Sequence, residues 1–373
     1  MKKLYLCILA LFLVLTGCAK SSLSRFSRPT VTAGFDTSFT LIGFTKDEKE
    51  FNDRFEEMNT LLLSCNALFD KYNNYEGLNN LKSVNDNAGI KPVEVDPLLI
   101  DLLKTAKEFY DISGGAFDIT AGKAMEIWHN YRTAGMSANE KGDLNPAVPS
   151  AEELENARVI NGWDHVIIDE NAKTVYLDDP KVMLDVGGIA KGYACELLAQ
   201  HYLKDNLMGS GAINGGGNVR ILGAKPDGSK WSVGVTAPDS SSAYAGTFYT
   251  DGNLSFVTSG DYQRYYVSDG KVYSHIMDPF TLQCAQNVRS VTVVTEDSGI
   301  ADCLSTALFV LPFEDGRKLI DTYNASHKEQ IGAYWVFDDT CKPDFNELIS
   351  YQGYYVYASE NIRDMLDVYG ASK

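Results

Sequence analysis

The spacing of apolar residues changes repeatedly along this chain and never settles into a regular strand–helix alternation. Residues 37–44 read as a strand. Phe51, Phe55, Met58, Leu61, Leu62, Cys65 and Leu68 then fall at helical spacing and predict a long amphipathic helix over 47–72. Asp96-Pro97 opens another helix through about residue 110, ended by Ser113-Gly114-Gly115. Residues 150–157 carry a capping box and a short helix. Short β-like runs follow at 165–168, 174–177 and 182–186, and the last leads through glycines into a helix ending near 203. Residues 212–273 are mostly strand-like, with turns at Pro226-Asp227-Gly228 and Ser268-Asp269-Gly270. A β-rich run at 289–295 precedes helices at 298–310 and 314–323, and strand patterns return at 334–337 and 354–357. A doubly wound fold requires regular crossovers. The expectation here is an α+β fold with a mixed or antiparallel sheet flanked by helices.

The first eighteen residues, MKKLYLCILALFLVLTGC, form an address. Lys2 and Lys3 precede an apolar run over 4–15, too short to span a bilayer but suited to a signal peptide. Leu15-Thr16-Gly17-Cys18 resembles a bacterial lipoprotein processing site. The expectation is a signal peptide at 1–17, a lipidated Cys18 with a polar tether over 18–34, and one folded domain over 35–373. The protein would then sit in the cell envelope, lipid-anchored to a membrane, with its domain outside the cytoplasm. An ordinary secretory signal or an uncleaved anchor is the alternative. Beyond Cys7 and Cys18, the remaining cysteines (65, 195, 284, 303 and 341) are odd in number and far apart, without a CxxC, which argues against a disulfide framework or a zinc site.

The chain is strongly acidic: 33 Lys and Arg against 50 Asp and Glu give a net charge of −17. Nucleic acid is therefore a poor partner for its bulk field. A phosphorylated ligand would have to be met locally, by a metal ion, a helix N-terminus or one or two placed cations.

Five segments could carry chemistry. Asp302 and Thr306, four residues apart in SGIADCLSTALFVL, lie one turn apart on one helix face and offer two oxygen ligands to a hard cation such as Mg²⁺. The plainer reading is an Asp near a helix N-terminus and a Thr bonded back to a carbonyl. Asp185-Val-Gly-Gly-Ile-Ala-Lys-Gly-Tyr193 joins a strand to a helix through glycines, with Lys191 as a point charge; it is either an anion-binding turn or a tight connection. The Gly-rich INGGGNVR run at 213–220 continues into a strand, which excludes a Rossmann fingerprint and leaves either a glycine-flattened strand or close packing against a ligand. His275 stands beside an Asp-Pro turn, where it serves either as a general base or as a structural residue. Phe117 and Asp118 follow a glycine turn, close in sequence to Trp128, as a ligand wall or as core and cap.

Taken together and in this order, the blocks GGAFDITAG, LDVGGIAKGYA, INGGGNVR, VTSGDYQRY, YSHIMDP and ADCLSTALFV resemble the FAD:protein FMN transferases of the ApbE family. The resemblance covers about residues 35–310 and implies an ApbE-like fold. It further implies Mg²⁺-dependent transfer of the FMN half of FAD to a Thr or Ser hydroxyl of an exported acceptor flavoprotein, such as a redox-pump subunit or similar FMN-carrying domain, with release of AMP. By resemblance, Asp302, Thr306 and the backbone carbonyl of Ala190 hold Mg²⁺, and His275 is the base. Phe35, Tyr72, Ala116, Phe117, Asp118, Gly187, Lys191, Tyr193 and Ile276 contact FAD. Phe35 stands where the family usually has Met. After Asp278-Pro279 the family usually has a small Thr-Gly-Tyr-Pro-like turn, whereas this chain continues Phe280-Thr281-Leu282-Gln283-Cys284. Two other functions compete with transfer: hydrolysis of FAD to FMN and AMP, and non-enzymatic flavin binding.

Overall fold

A computed structural model describes residues 23–30, 34–204, 206–239 and 243–372. The expected signal peptide and lipidated Cys18 lie outside the described residues. Among the described residues no helix is long and apolar enough to cross a membrane.

The chain begins with an antiparallel pair, β1 (Ser24–Pro29) and β2 (Phe39–Thr45). There follow α1 (Glu48–Phe69), α2 (Leu81–Asp86), β3 (Val93–Glu94), α3 (Pro97–Ile112), α4 (Gly122–Glu140) and α5 (Ala151–Asn156). Strands β4 (Val166–Asp169) and β5 (Thr174–Leu177) form a small sheet with β3. Next come α6 (Ala190–Lys204), β6 (Gly211–Gly215), β7 (Asn218–Ile221), β8 (Trp231–Thr236), β9 (Tyr244–Thr250), β10 (Ser255–Gly260), β11 (Tyr265–Ser268) and β12 (Lys271–Ser274). The chain finishes with β13 (Ser290–Thr295), α7 (Ser298–Val310), α8 (Phe313–Ser326), β14 (Gly332–Phe337), β15 (Ile349–Tyr351) and β16 (Tyr354–Ala358).

The main sheet has nine strands in the order β1-β2-β6-β7-β10-β13-β14-β16-β15, each paired antiparallel to its neighbours. The fold is thus α+β, as the irregular periodicity predicts. Strand β13, SVTVVT, is buried along its whole length because both faces of the sheet are covered. Val291 and Val293 pack with Leu304 and Leu308 of α7, in a core shared with α1 and α6. Val294 joins the opposite layer, with Trp231 and Phe248 of the β8–β9 hairpin. Each such aliphatic side chain contributes roughly 1.5–3 kcal/mol on burial.

Helix α1 buries the expected stripe, Phe51, Phe55, Met58, Leu62, Cys65 and Leu68. Asp47 caps it by accepting from the Glu50 N–H at 2.8 Å. Two expectations need correction, and one helix was missed. Part of the supposed tether is β1, a strand at the rim of the main sheet. Residues 182–186 are not a strand: Leu184 exchanges hydrogen bonds with the Asn85 side-chain amide, and the Asp185 N–H donates to Ile119 O, so side-chain and loop partners replace a ladder. Helix α4 was not foreseen. It has no side-chain N-cap bond, and its buried residues include Gly122 and Gly135.

Candidate active site

Helix α7 is apolar on nearly every side because it lies between α6 and the sheet. Asp297 starts it, its Oδ1 accepting from the N–H groups of Gly299 and Ile300 at 2.7 and 3.0 Å. A carboxylate placed inside such a helix needs partners, since burying an isolated charge is costly. Asp302 is 4% exposed and has two. The Gly192 N–H donates to Oδ2 at 2.8 Å, and Lys191 Nζ stands 3.9 Å from the same oxygen. Lys191 Nζ also donates to Gly187 O at 3.3 Å. Asp302 and Thr306, one helical turn apart, both line a cleft of about 440 Å³.

The turn before α6 forms the next wall. Asp185 accepts from the Gly187 N–H through Oδ1 at 2.9 Å and pairs with buried Lys71 through Oδ2 at 2.8 Å. Burial alone would raise the Asp185 pKa, but the Lys71 ammonium and the Gly187 N–H outweigh it and hold the carboxyl below its ordinary value. Tyr72, next to Lys71, faces the cleft. Asp118 accepts from the Thr120 N–H and hydroxyl at 2.8 and 2.7 Å. Burial raises its pKa despite those bonds. Asn218, at the start of β7, is buried on the wall, and its Nδ2 makes no hydrogen bond among the described residues.

His275 follows the last residue of β12 and is exposed to the cleft. Close protein packing disfavours its charged form, and Arg132, Lys191 and Arg264 add to that, so its pKa is lowered. A neutral imidazole at pH 7 can accept a proton. The loop after it is closed by hydrogen bonds from the Asp278 N–H to Gln283 O and from the Leu282 N–H to Asp278 O, both at 2.8 Å, and it leaves Phe280 exposed. That loop carries this chain's own sequence 280–284.

The cleft collects ten of the residues named from sequence: Tyr72, Ala116, Phe117, Asp118 and Gly187 with Lys191, His275, Ile276, Asp302 and Thr306. Three stand apart from its wall. Phe35 packs its ring edge-on to Phe39 at 5.9 Å, while its neighbours Asp36 and Thr37 line the cleft. Ala190 is buried in the first turn of α6. Tyr193 faces Phe69, ring centroids 6.0 Å apart. Sequence reading missed His129 and Arg132 on α4, and it did not single out Asn218 or Arg264 within their blocks, although all four line the cleft.

Among the described residues no group of three or more His, Cys, Asp or Glu side chains could hold a metal. On the α7 side of the cleft the side-chain donors are the Asp302 carboxylate and the Thr306 hydroxyl. That set suits a hard cation that takes few protein ligands and completes its shell with phosphate and water. An oxygen-donor couple, cations and a neutral imidazole around one cleft match the needs of a nucleotide diphosphate.

The ApbE family model matches residues 35–334. The chain belongs to the ApbE family. A Vibrio cholerae relative named FAD:protein FMN transferase is 30% identical over 314 residues, spanning 84% of this chain and 89% of the relative. A Klebsiella pneumoniae protein of the same name is 33% identical over 235 residues, 62% of this chain and 68% of that protein. The crystal structure of an ApbE protein from Thermotoga maritima superposes with a TM-score of 0.73 at 29% identity, covering 92% of this chain and 99% of that one. The flavin transferase ApbE from Vibrio cholerae gives a TM-score of 0.68 at 26% identity, with the same coverage. The irregular interleaving of helix and strand is therefore that of an ApbE fold.

Proposed function

We propose that this ApbE-family chain is an FAD:protein FMN transferase. It moves the FMN half of FAD to a Thr or Ser hydroxyl of an exported acceptor protein and releases AMP, with Mg²⁺ bound at Asp302 and Thr306. The observation that carries this reading is the meeting of that couple with His275 in one cleft, although each is separated from the other by a strand and a loop.

The residues supply distinct parts. Asp302 and Thr306 would hold the cation, with Gly192 and Lys191 fixing the carboxylate. Bound there, Mg²⁺ would neutralise charge on the diphosphate oxygens, which an acidic protein could not do through its bulk field. The glycine turn at 187–188 and the wall at 116–118 would seat the nucleotide. His275 would accept the proton of the acceptor hydroxyl as its oxygen bonds to the flavin-side phosphorus. The bridging P–O bond then breaks, and AMP leaves with the bonding electron pair. We also propose that Cys18 carries the lipid that holds this domain outside the cytoplasm.

The test mixes mature protein, FAD, Mg²⁺ and a candidate acceptor domain. Flavin fluorescence on the acceptor in a denaturing gel, with one AMP released per flavin attached, supports transfer. Release of FMN and AMP without an acceptor assigns hydrolysis instead. Absence of AMP in both mixtures would sink the enzymatic reading.

A further inference from the structure

Two guanidinium groups in the cleft have no part in the chemistry above. Arg264 immediately precedes β11, and His275 immediately follows β12. The hairpin register sets Tyr265 opposite Ser274, so the next position outward sets Arg264 beside His275. Helix α4 is bolted against this hairpin. Gly135 meets the Tyr266 ring so closely that a Cβ there would fall 2.3 Å from it. Asn139 donates to Val267 O at 2.9 Å and accepts from the Val267 N–H at 2.7 Å. Trp128 Nε1 donates to Leu282 O at 2.7 Å and ties α4 to the loop after His275. Arg132 lies three residues before Gly135 and so shares its helix face toward the hairpin.

Neither guanidinium forms an ion pair with a carboxylate among the described residues. Arg132 Nη2 pairs with His129 Nδ1 at 3.2 Å, and Arg264 Nη2 donates to Asp36 O at 2.9 Å. Burial lowers the Arg132 pKa, and the neighbouring Arg264 charge lowers it further. Two like charges in a net-acidic chain, held together by a glycine contact and an amide clasp, form a site for an anion. Planar guanidinium donors match phosphate oxygens in pairs. Lys191 is already committed to Asp302 and Gly187.

We propose that Arg132 and Arg264 form a clamp for the flavin-side phosphate of FAD, the group under attack. This inference rests on the transferase reading. A base must reach the hydroxyl that attacks this phosphorus, and the hairpin register places the clamp beside His275. The cation that the Asp302–Thr306 couple would hold is left to offset charge on the departing phosphate. As the acceptor oxygen bonds to phosphorus and the bridging P–O bond breaks, the clamp would offset charge on the non-bridging oxygens.

The test measures binding of FMN, riboflavin and AMP to the wild-type protein and to R132Q, R132K and R264Q, with divalent metal chelated. Wild-type protein should prefer FMN to riboflavin. R132Q and R264Q should each weaken FMN on the order of 10- to 100-fold and leave riboflavin within about twofold, with R132K between. Unchanged riboflavin affinity also reports an intact fold. An FMN-to-riboflavin ratio unaltered in both glutamine variants overturns the clamp, as does loss of AMP affinity in place of FMN affinity. Wild-type protein that binds FAD and riboflavin but shows no gain from the flavin phosphate refutes the clamp alone, whereas failure to bind any flavin removes the transferase reading and the clamp with it.

Discussion

The Gly192 N–H donates to Asp302 Oδ2 at 2.8 Å across 110 residues of sequence, and glycine is the residue that allows it. A Cβ at Gly192 would fall 2.6 Å from the Asp302 Cβ and 2.2 Å from the Ser298 carbonyl oxygen. Helices α6 and α7 therefore touch at the point that presents the acidic side chain. G192A should force the helices apart and cost about 1–3 kcal/mol. Thermal denaturation should show a lower Tm, and the AMP-release assay should show a weakened Mg²⁺ response. A wild-type Tm and metal dependence would mean that the contact relaxes without consequence.

Removing the carboxylate itself should leave the fold and abolish the chemistry. D302A is expected to reduce AMP release by at least about 10²-fold, since several kcal/mol of charge stabilisation would go with the cation. T306V should have a smaller effect in the same direction. Titration of Mg²⁺ against turnover checks both variants, and an undiminished D302A rate would remove the metal assignment.

H275A should bind FAD and transfer slowly, with a loss on the order of 10²- to 10⁴-fold in rate. Packing and the facing cations lower the His275 pKa below its ordinary 6.5, so the neutral, proton-accepting form persists as pH falls past that value. The acid limb of kcat/KM should therefore lie below pH 6.5 and disappear in H275A. An acid limb at or above 6.5 would assign it to another group.

Lys71 and Asp185 are a largely buried pair, with side chains 6% and 19% exposed. D185N would leave the ammonium without its counter-charge at a cost of about 3–5 kcal/mol. The Asp185 pKa lies below 3.8 in the folded chain, so its stabilisation is in place above that pH and is lost as pH falls through the folded value. Burial lowers the Lys71 pKa, but Asp185 reverses this and carries it above 10.5, so its contribution is present below 10.5 and is lost as pH rises through the folded value. Between these limits the pair should contribute a pH-independent increment, which urea denaturation of wild type and D185N at pH 5, 7 and 9 would measure.

Local regularity decided what could be read from the residues alone. Helix α7 was legible at both ends because thirteen largely apolar residues follow a capping Asp297. Helix α1 was legible because its stripe is strictly periodic. Helix α4 was not, because its hold on the protein comes from Gly135 against Tyr266 and Trp128 against Leu282, contacts between distant segments that leave no periodic trace. His129 and Arg132 went unseen with it. The run at 182–186 misled in the opposite sense: apolar and β-branched residues suggested a strand, yet an asparagine amide takes the place of a neighbour. Asp302, Thr306 and His275 were legible as residue types, but their meeting in one cleft is a product of the sheet order.

Strand β1 bears on where an acceptor must stand. It pairs with β2 at the sheet rim from Ser24 onward, and the residues just beyond that pair, Asp36 and Thr37, already line the cleft. With lipid on Cys18 as proposed, five residue steps, about 17 Å at full stretch, are the most that can separate the anchor from residue 23, instead of about 55 Å for a tether running to residue 34. Ser24 pairs with Thr45 and Pro29 with Thr40, so the anchored end of β1 would be the one remote from Asp36 and Thr37, and a hydroxyl awaiting flavin would have to be offered one strand length, roughly 17 Å, from the lipidated rim.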